Sequence, residues 1–240
     1  MKILGIDTSS TLASVSILKN KEIITMQDTN NVTHSERLLK LIDNALKTTK
    51  ISLNELDYLM TTNGPGSFTG ARIGAVTIKG LAAPLNLKII AVSSIEIIAL
   101  REYLNLNTKE EKIICALMDA KNDRAYYGLF KFETLENGKI KYVPLLQISN
   151  DTLCNILEKL KNFQNIIICG DLYLKISENY SFPHLIISEN DLKPNSSYLI
   201  DYYNNVCEEI IKNHVQDTYT LDITYARMSQ AERIKNGETN

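Results

Sequence analysis

The chain has 240 residues, with 26 Lys and Arg against 28 Asp and Glu, a formal net charge of −2. Hydrophobic residues make up 44% and charged residues 22%, ordinary globular usage that excludes wholesale disorder and allows a sizeable core. Near-neutrality argues against a free-standing nucleic-acid binder, which needs a surplus of Lys and Arg on one face, but it allows a role beside RNA within a complex.

In chain order, residues 2–8 form an apolar run ending in an acid, Asp7. From Ala13 to Leu18, Ala13, Val15 and Ile17 alternate with Ser14 and Ser16, as in a half-buried strand. Asn20-Lys21 predicts a tight turn and Glu22 to Asp28 a third strand, giving an antiparallel meander. A helix follows, with Thr33 as cap, Glu36 completing a capping box, and Leu38, Leu39, Leu41, Ile42, Ala45 and Leu46 at helical spacing. A strand at Tyr58–Thr62, a glycine-rich turn, a helix to about Ala83, a strand at Lys88–Val92 and a helix from Ser94 to Tyr103 complete the first half.

The second half opens in the same way. Lys112 to Asp119 is an apolar strand ending in an acid, Arg124 to Phe132 a second strand, and Asn137-Gly138 a hairpin into a third, Ile140 to Ile148. A helix at Thr152–Lys161, a strand at Asn165–Cys169 and a long helix from Ser196 to Asn213 follow. Asp7 and Asp119 thus occupy equivalent places in two copies of one unit, with a boundary near Asn107. The expected division is residues 1–107 and 108–240, the final helix and tail packing back on the first lobe. Duplicated β-β-β-α-β-α units define the two-lobed actin-like (ASKHA, RNase H-like) α/β fold of actin, sugar kinases and Hsp70, in which ATP sits between the lobes.

Cys115, Cys154, Cys169 and Cys207 lie far apart without a Cys-x-x-Cys pair, so four reduced and mostly buried thiols are expected rather than a zinc ribbon or a disulfide framework. His34, His184 and His214 lack the i, i+4 spacing that holds a metal on a helix face. The start reaches Asp7 too soon for a signal-peptide core, and no apolar run approaches the roughly 18 residues of a membrane span. A soluble, cytoplasmic protein is expected.

Two segments carry the chemistry. The turn Asp7-Thr8-Ser9-Ser10-Thr11 stands where this fold cradles phosphate with Asp-x-Gly, but Ser9 replaces the glycine that lets backbone approach. Asp7 could hold a magnesium-bound water, or the hydroxyls could satisfy the turn itself. Asn63-Gly64-Pro65-Gly66-Ser67-Phe68-Thr69-Gly70-Ala71-Arg72-Ile73-Gly74 fits neither a P-loop nor a dinucleotide fingerprint, and Ser67 is not in a nucleophile elbow. A tight turn leading into a closely packed helix is the physical expectation. On that helix Gly70, Ala71, Gly74, Ala75 and Ala82 share one arc, with Ile73 and Val76 across from it. The preceding helix spreads its apolar positions over roughly 160°, wider than the usual stripe of about 100°. Both helices therefore need cover from the chain itself or from a partner.

Ile6-Asp7-Thr8-Ser9, the long Asn63–Gly74 segment, Lys79-Gly80-Leu81-Ala82 and Tyr225-Ala226-Arg227 resemble the bacterial TsaB (YeaZ) family in order and across almost the whole chain. The resemblance implies the actin-like fold and a place in the machinery that forms N6-threonylcarbamoyladenosine beside the tRNA anticodon. The transferase TsaD holds a metal through a His-x-x-x-His pair; at the matching stretch this chain has Ser94 and Ile98. The resemblance therefore implies a non-catalytic subunit without metal or cofactor, and leaves open whether a nucleotide lodges at the subunit junction. It also implies pairing with TsaD, support of the ATPase TsaE, self-pairing when alone, and tRNA contact only through the complex. The expected partner surface comprises Leu38, Leu39, Leu41, Ile42, Leu46, Gly70, Ala71, Gly74, Ala75 and Ile78, and Asp7, Thr8, Ser9 and Ser10 form a vestigial phosphate turn. One rival is an ATP-dependent phosphotransferase using Asp7 and Asp119. A metal-dependent protease is a weaker one, because ligand spacing is missing.

Overall fold

The structure, a computed structural model, describes residues 1–28, 34–179 and 185–224, with only the backbone course at 34–36. β1 (Lys2–Asp7), β2 (Ala13–Lys19) and β3 (Glu22–Asp28) form the first meander, and β4 (Tyr58–Thr62) and β5 (Lys88–Val92) add parallel strands beside β1. β6 (Lys112–Asp119), β7 (Arg124–Thr134), β8 (Ile140–Thr152), β9 (Ile166–Gly170) and β10 (Leu185–Ile187) build the second sheet. Its order, β10-β9-β6-β7-β8, repeats β5-β4-β1-β2-β3 element for element, so the duplication is visible in the topology. A last short strand, β11 (Val215–Gln216), returns to pair antiparallel with β5.

Period-two alternation sorts the strands into layers. Leu4 and Ile6 of β1 point to one side, where they pack with Leu38, Ile42 and Ala45 of α1 (His34–Thr49) and Ala75, Ile78 and Ala82 of α2 (Phe68–Ala82). Ile3 points the other way, into a core that the two sheets share with α3 (Ser94–Asn105) and, after α4 (Leu153–Leu160) and α5 (Tyr173–Asn179), with α6 (Ser196–Asn205). α4 and α5 close the outer face of the second sheet. The layers thus run α1/α2, sheet, α3/α6, sheet, α4/α5.

Local chemistry sets the element ends. Asn20 and Lys21 turn left-handed (φ 50° and 73°) between β2 and β3, as a two-residue hairpin requires. Ser93 and Glu96 form a capping box at α3, Ile95 N–H donating to Ser93 Oγ at 3.2 Å and Ser93 N–H to Glu96 Oε2 at 3.0 Å. The cap expected at Thr33 lies outside the described residues.

One expectation changes. The single long helix from Ser196 divides into α6 and α7 (Glu208–Asn213), because Val206 is extended (ψ 147°) and Cys207 N–H donates to Ile140 O at 2.9 Å. Pairing with β8 there replaces a helical turn. The four cysteines are free, but only Cys115 and Cys169 are buried; Cys207 is half-buried and Cys154 exposed. Among the described residues no helix is long and apolar enough to cross a membrane.

Candidate functional site

The glycine-rich segment folds directly onto the turn after β1. Ser67 N–H donates to Ser9 O at 2.7 Å, and Thr8 Oγ–H donates to Gly70 O at 2.7 Å. A Cβ at Gly66 would lie 2.3 Å from Ser9 O, and one at Gly70 only 1.9 Å from Thr8 O. Glycine is thus required where two backbones touch. Ser67 caps α2 by accepting from Gly70 N–H at 3.2 Å.

This clasp leaves Asp7 fully buried, with Thr8 and Ser9 almost so. Asp7 Oδ1 accepts from Thr62 Oγ–H at 2.5 Å, Ser9 Oγ–H at 2.7 Å and Ser9 N–H at 3.4 Å, while Oδ2 has no hydrogen-bond partner among the described residues. Burial raises the carboxyl above its ordinary range, and the bonds from Thr62 and Ser9 oppose that only partly. A carboxyl so placed is shut away from bulk solvent, which corrects the expectation that it could reach a magnesium-bound water. Ser10 is half-buried and faces the cleft between the lobes.

That cleft encloses about 630 Å³ and is lined by Ser9, Ser10, Thr11 and Ser67 from one side and by Asp119, Lys121, Asp171 and Lys193 from the other. Asp119 keeps a side-chain exposure of 32% and pairs with Lys121 Nζ at 2.7 Å. Partial burial alone would raise its pKa, but hydrogen bonds from Lys121 outweigh this and hold it low. Asp171 is shifted up by burial although it accepts from Asp119 N–H at 2.9 Å. The cleft is polar, and both of its lysines pair within the chain, Lys121 with Asp119 and Lys193 Nζ with Asp191 at 2.9 Å.

The expected partner surface is redistributed. Leu38, Ile42, Gly70, Ala71, Gly74, Ala75 and Ile78 are buried within the chain, Gly74 so close to Thr8 that a Cβ would sit 2.5 Å from Thr8 Oγ. Leu41 and Leu46 are half-buried. The small-residue arc of α2 thus faces its own β1 turn, and the outward apolar side chains are Leu39 (56% exposed), Phe68 (39%) and Val76 (70%). Arg72 lies over the Phe68 ring at 3.8 Å, on the same outward side. Helical spacing had put Val76 opposite the small residues; contact of Gly70 and Gly74 with Thr8 decides which side is inside. Phe68 was missed, since the start of a helix gives no periodic context.

Ser94 and Ile98, at the positions where the family resemblance puts metal-binding histidines in TsaD, are both fully buried. Among the described residues no three His, Cys, Asp or Glu side chains gather as a metal site. His214 is held by Ala91 O at 3.0 Å from Nδ1 and stands 3.9 Å from Glu96. The side chains of His34 and His184, and the Tyr225-Ala226-Arg227 segment, lie outside the described residues.

Two copies of a three-strand meander followed by helix–strand alternation, facing each other across a shared helical layer, define a two-lobed actin-like α/β protein. A family model for TsaD, tRNA N6-adenosine threonylcarbamoyltransferase, matches residues 28–221. The tRNA threonylcarbamoyladenosine biosynthesis protein TsaB of Buchnera aphidicola subsp. Baizongia pistaciae is 32% identical over 203 residues, 82% of this chain and 86% of that protein. TsaB of Bacillus subtilis is 32% identical over 162 residues, 67% of this chain and 66% of its own. The solved structure of YeaZ from Pseudomonas aeruginosa superposes with a TM-score of 0.73 at 21% identity, covering 93% of this chain and 100% of that one. The chain belongs to the TsaB family, within the wider group that the TsaD model describes.

Proposed function

We propose that this chain serves tRNA threonylcarbamoyladenosine biosynthesis as a non-catalytic subunit that pairs with a TsaD-type paralogue in a complex with a TsaE-type ATPase. It meets tRNA only through that complex. The carrying observation is the outward side of α1 and α2, where Leu39 and Val76 are largely exposed and Phe68 partly so beneath Arg72. Large apolar side chains left exposed on these two helices support an interaction surface, and a stable pair would bury roughly 1,200–2,000 Å² in total. Asp7 is buried, and Ser94 and Ile98 stand where the family resemblance puts metal ligands in TsaD, which supports the non-catalytic reading. Self-pairing would use the same face and so compete with the paralogue.

The test is reconstituted tRNA modification with purified TsaD- and TsaE-type subunits, with and without this chain. Leu39→Asp combined with Val76→Asp should leave the fold intact, because both side chains are exposed, yet weaken pairing by about 100-fold or more and remove the stimulation. Pairing at wild-type strength would defeat the proposal.

The interlobe cleft favours a second reading, ATP-dependent phosphotransfer through Asp7 and Asp119. Asp119 lines that cleft, but Asp7 does not. Tight Mg-ATP binding by the isolated chain, lost in Asp119→Asn, would support it.

A further inference from the structure

Tyr219 is 94% exposed, the most of any large apolar side chain among the described residues. Its turn is nevertheless firmly built. Asp217 Oδ1 accepts from the N–H of Thr220 and of Tyr219, both at 2.9 Å, and from Thr220 Oγ–H at 3.0 Å, while Thr220 Oγ accepts from Asp217 N–H at 3.0 Å. Before the turn β11 pairs with β5, and after it Leu221 packs into the core of the first lobe. A ring displayed on a turn held at both ends has already lost much of the freedom that binding would cost, and tyrosine is enriched among the residues that carry binding energy.

An apolar cavity lies against the same strand. It encloses about 290 Å³, with walls that include Tyr58, Ile90, Tyr203, Val206, Ile211 and Val215. Tyr58 and Tyr203 meet there at 6.3 Å between ring centroids. Lys139 and Lys212 also line it, against one carboxylate, Glu208. Lys139 Nζ is held by a neutral group, Asn204 O, at 2.6 Å, and Lys212 stands 3.8 Å from Glu208 with both side chains well exposed, a weak pairing. Tyr219 is flanked by the opposite sign, Asp217 and the exposed Asp222 against Lys88. An aromatic knob in an acidic surround and an apolar hole in a basic one are complementary, and both belong to one chain.

We infer that Tyr219 of one copy docks into this cavity of a second copy, with Asp217 and Asp222 facing Lys139 and Lys212. Val215 lines the hole and the knob follows four residues later, so a two-fold axis can satisfy both at once. Each ring would bury roughly 200 Å² and cover a similar area of wall, so two would bury about 800 Å², the range of weak, transient contacts. This contact uses none of the residues of the α1/α2 face and goes beyond the pairing proposed above, with which it can coexist.

The experiment is sedimentation equilibrium of the full chain carrying Leu39→Asp and Val76→Asp, which removes the α1/α2 face as a source of self-pairing. Dimers should form with a Kd on the order of 100 µM at about 50 mM salt and weaken at about 500 mM. Adding Tyr219→Ala should weaken them tenfold or more, about 1.4 kcal/mol, while Tyr219→Phe should stay within about threefold. Lys212→Glu should weaken them about threefold or more at low salt, and Asp222→Lys in the same chain should restore part of the loss. In the otherwise wild-type chain, Tyr219→Ala should leave affinity for the TsaD-type subunit unchanged within about twofold. A strictly monomeric chain at about 300 µM, or dimers indifferent to Tyr219→Ala, would overturn the contact. Tyr219→Ala that instead weakens binding of the TsaD- or TsaE-type subunit would give the surface to that subunit and overturn the second copy as occupant. Association insensitive to salt and to Lys212→Glu would overturn the charge complementarity. None of these results touches the α1/α2 pairing, which the Leu39→Asp/Val76→Asp chain tests separately.

Discussion

Asp7 and Asp119 end the first strand of each copy of the duplicated unit, yet they live in opposite environments. Asp7 is fully buried in a cage of hydroxyls with one oxygen unpartnered. Asp119 is partly exposed, pairs with Lys121 and faces the cleft. The difference comes from the crossover that follows each meander. After β4, the chain lays Gly64–Gly70 across the first turn, with Ser67 N–H donating to Ser9 O and Gly70 O accepting from the Thr8 hydroxyl. After β9, Gly170 (φ 118°) turns the chain tightly, and Asp171 accepts the backbone N–H of Asp119. An acid at a strand end is therefore not in itself phosphate chemistry; the segment packed over it decides whether it titrates, pairs or disappears into the core.

Disturbing the clasp over Asp7 should have the largest effect. In Gly70→Ala the new methyl would meet Thr8 O at 1.9 Å, and both partners are backbone, so neither can step aside. A loss of roughly 3 kcal/mol or more is expected in urea unfolding, with poor soluble yield. A neutral result would separate the glycine-rich segment from the Asp7 turn and remove the contrast between the two halves.

The carboxyl itself should matter next. Burial raises the folded pKa of Asp7 above its ordinary 3.8, so folding favours the protonated form. The contribution of Asp7 to stability is therefore fully present below the unfolded value and is lost as pH rises through the raised folded value. Asp7→Asn keeps the shape without the titration. It should unfold at higher urea than wild type at pH 7, by about 1–3 kcal/mol, with the gap closing toward pH 4. Parallel pH profiles for the two proteins would mean that Asp7 is compensated by a group outside the described residues.

Much of this architecture could be read before any coordinates. Alternation in Ala13–Ile17, the acids at 7 and 119, and the spacing from Leu38 to Leu46 carry the β-β-β-α-β-α repeat, because strand and helix periods are local properties. The orientation of α2 was not readable. A helical arc says which residues lie together, and glycine and alanine suit a partner's helix as well as their own turn; only the approach of Thr8 O to Gly70 chooses. Nor could the break at Val206 be foreseen, since its cause is the backbone bond from Cys207 N–H to Ile140 O, 67 positions away in the chain. Spacing put Val76 across from the small residues, but the partner surface was expected on the small-residue arc; the exposure of Val76 comes from the structure.

The smallest effect belongs to the exposed acid. Lys121 holds Asp119 below its ordinary 3.8, so this pair contributes above that value and its contribution fades as pH falls through the lowered one, the reverse of Asp7. The side chain of Lys121 is 81% exposed, however, so solvent and salt screen most of the attraction. Lys121→Ala should cost less than about 0.5 kcal/mol at low salt and nothing measurable at 0.5 M. The backbone N–H of residue 121 still donates to Asp119 Oδ1, at 2.8 Å in the wild type, and this bond survives the substitution. Asp119→Ala removes both bonds and should cost about 1 kcal/mol at pH 7, most of it remaining at 0.5 M salt. Equal losses in the two variants would mean that the ion pair, not the turn, organises the second half's strand end, and the two acids would then differ in degree rather than in kind.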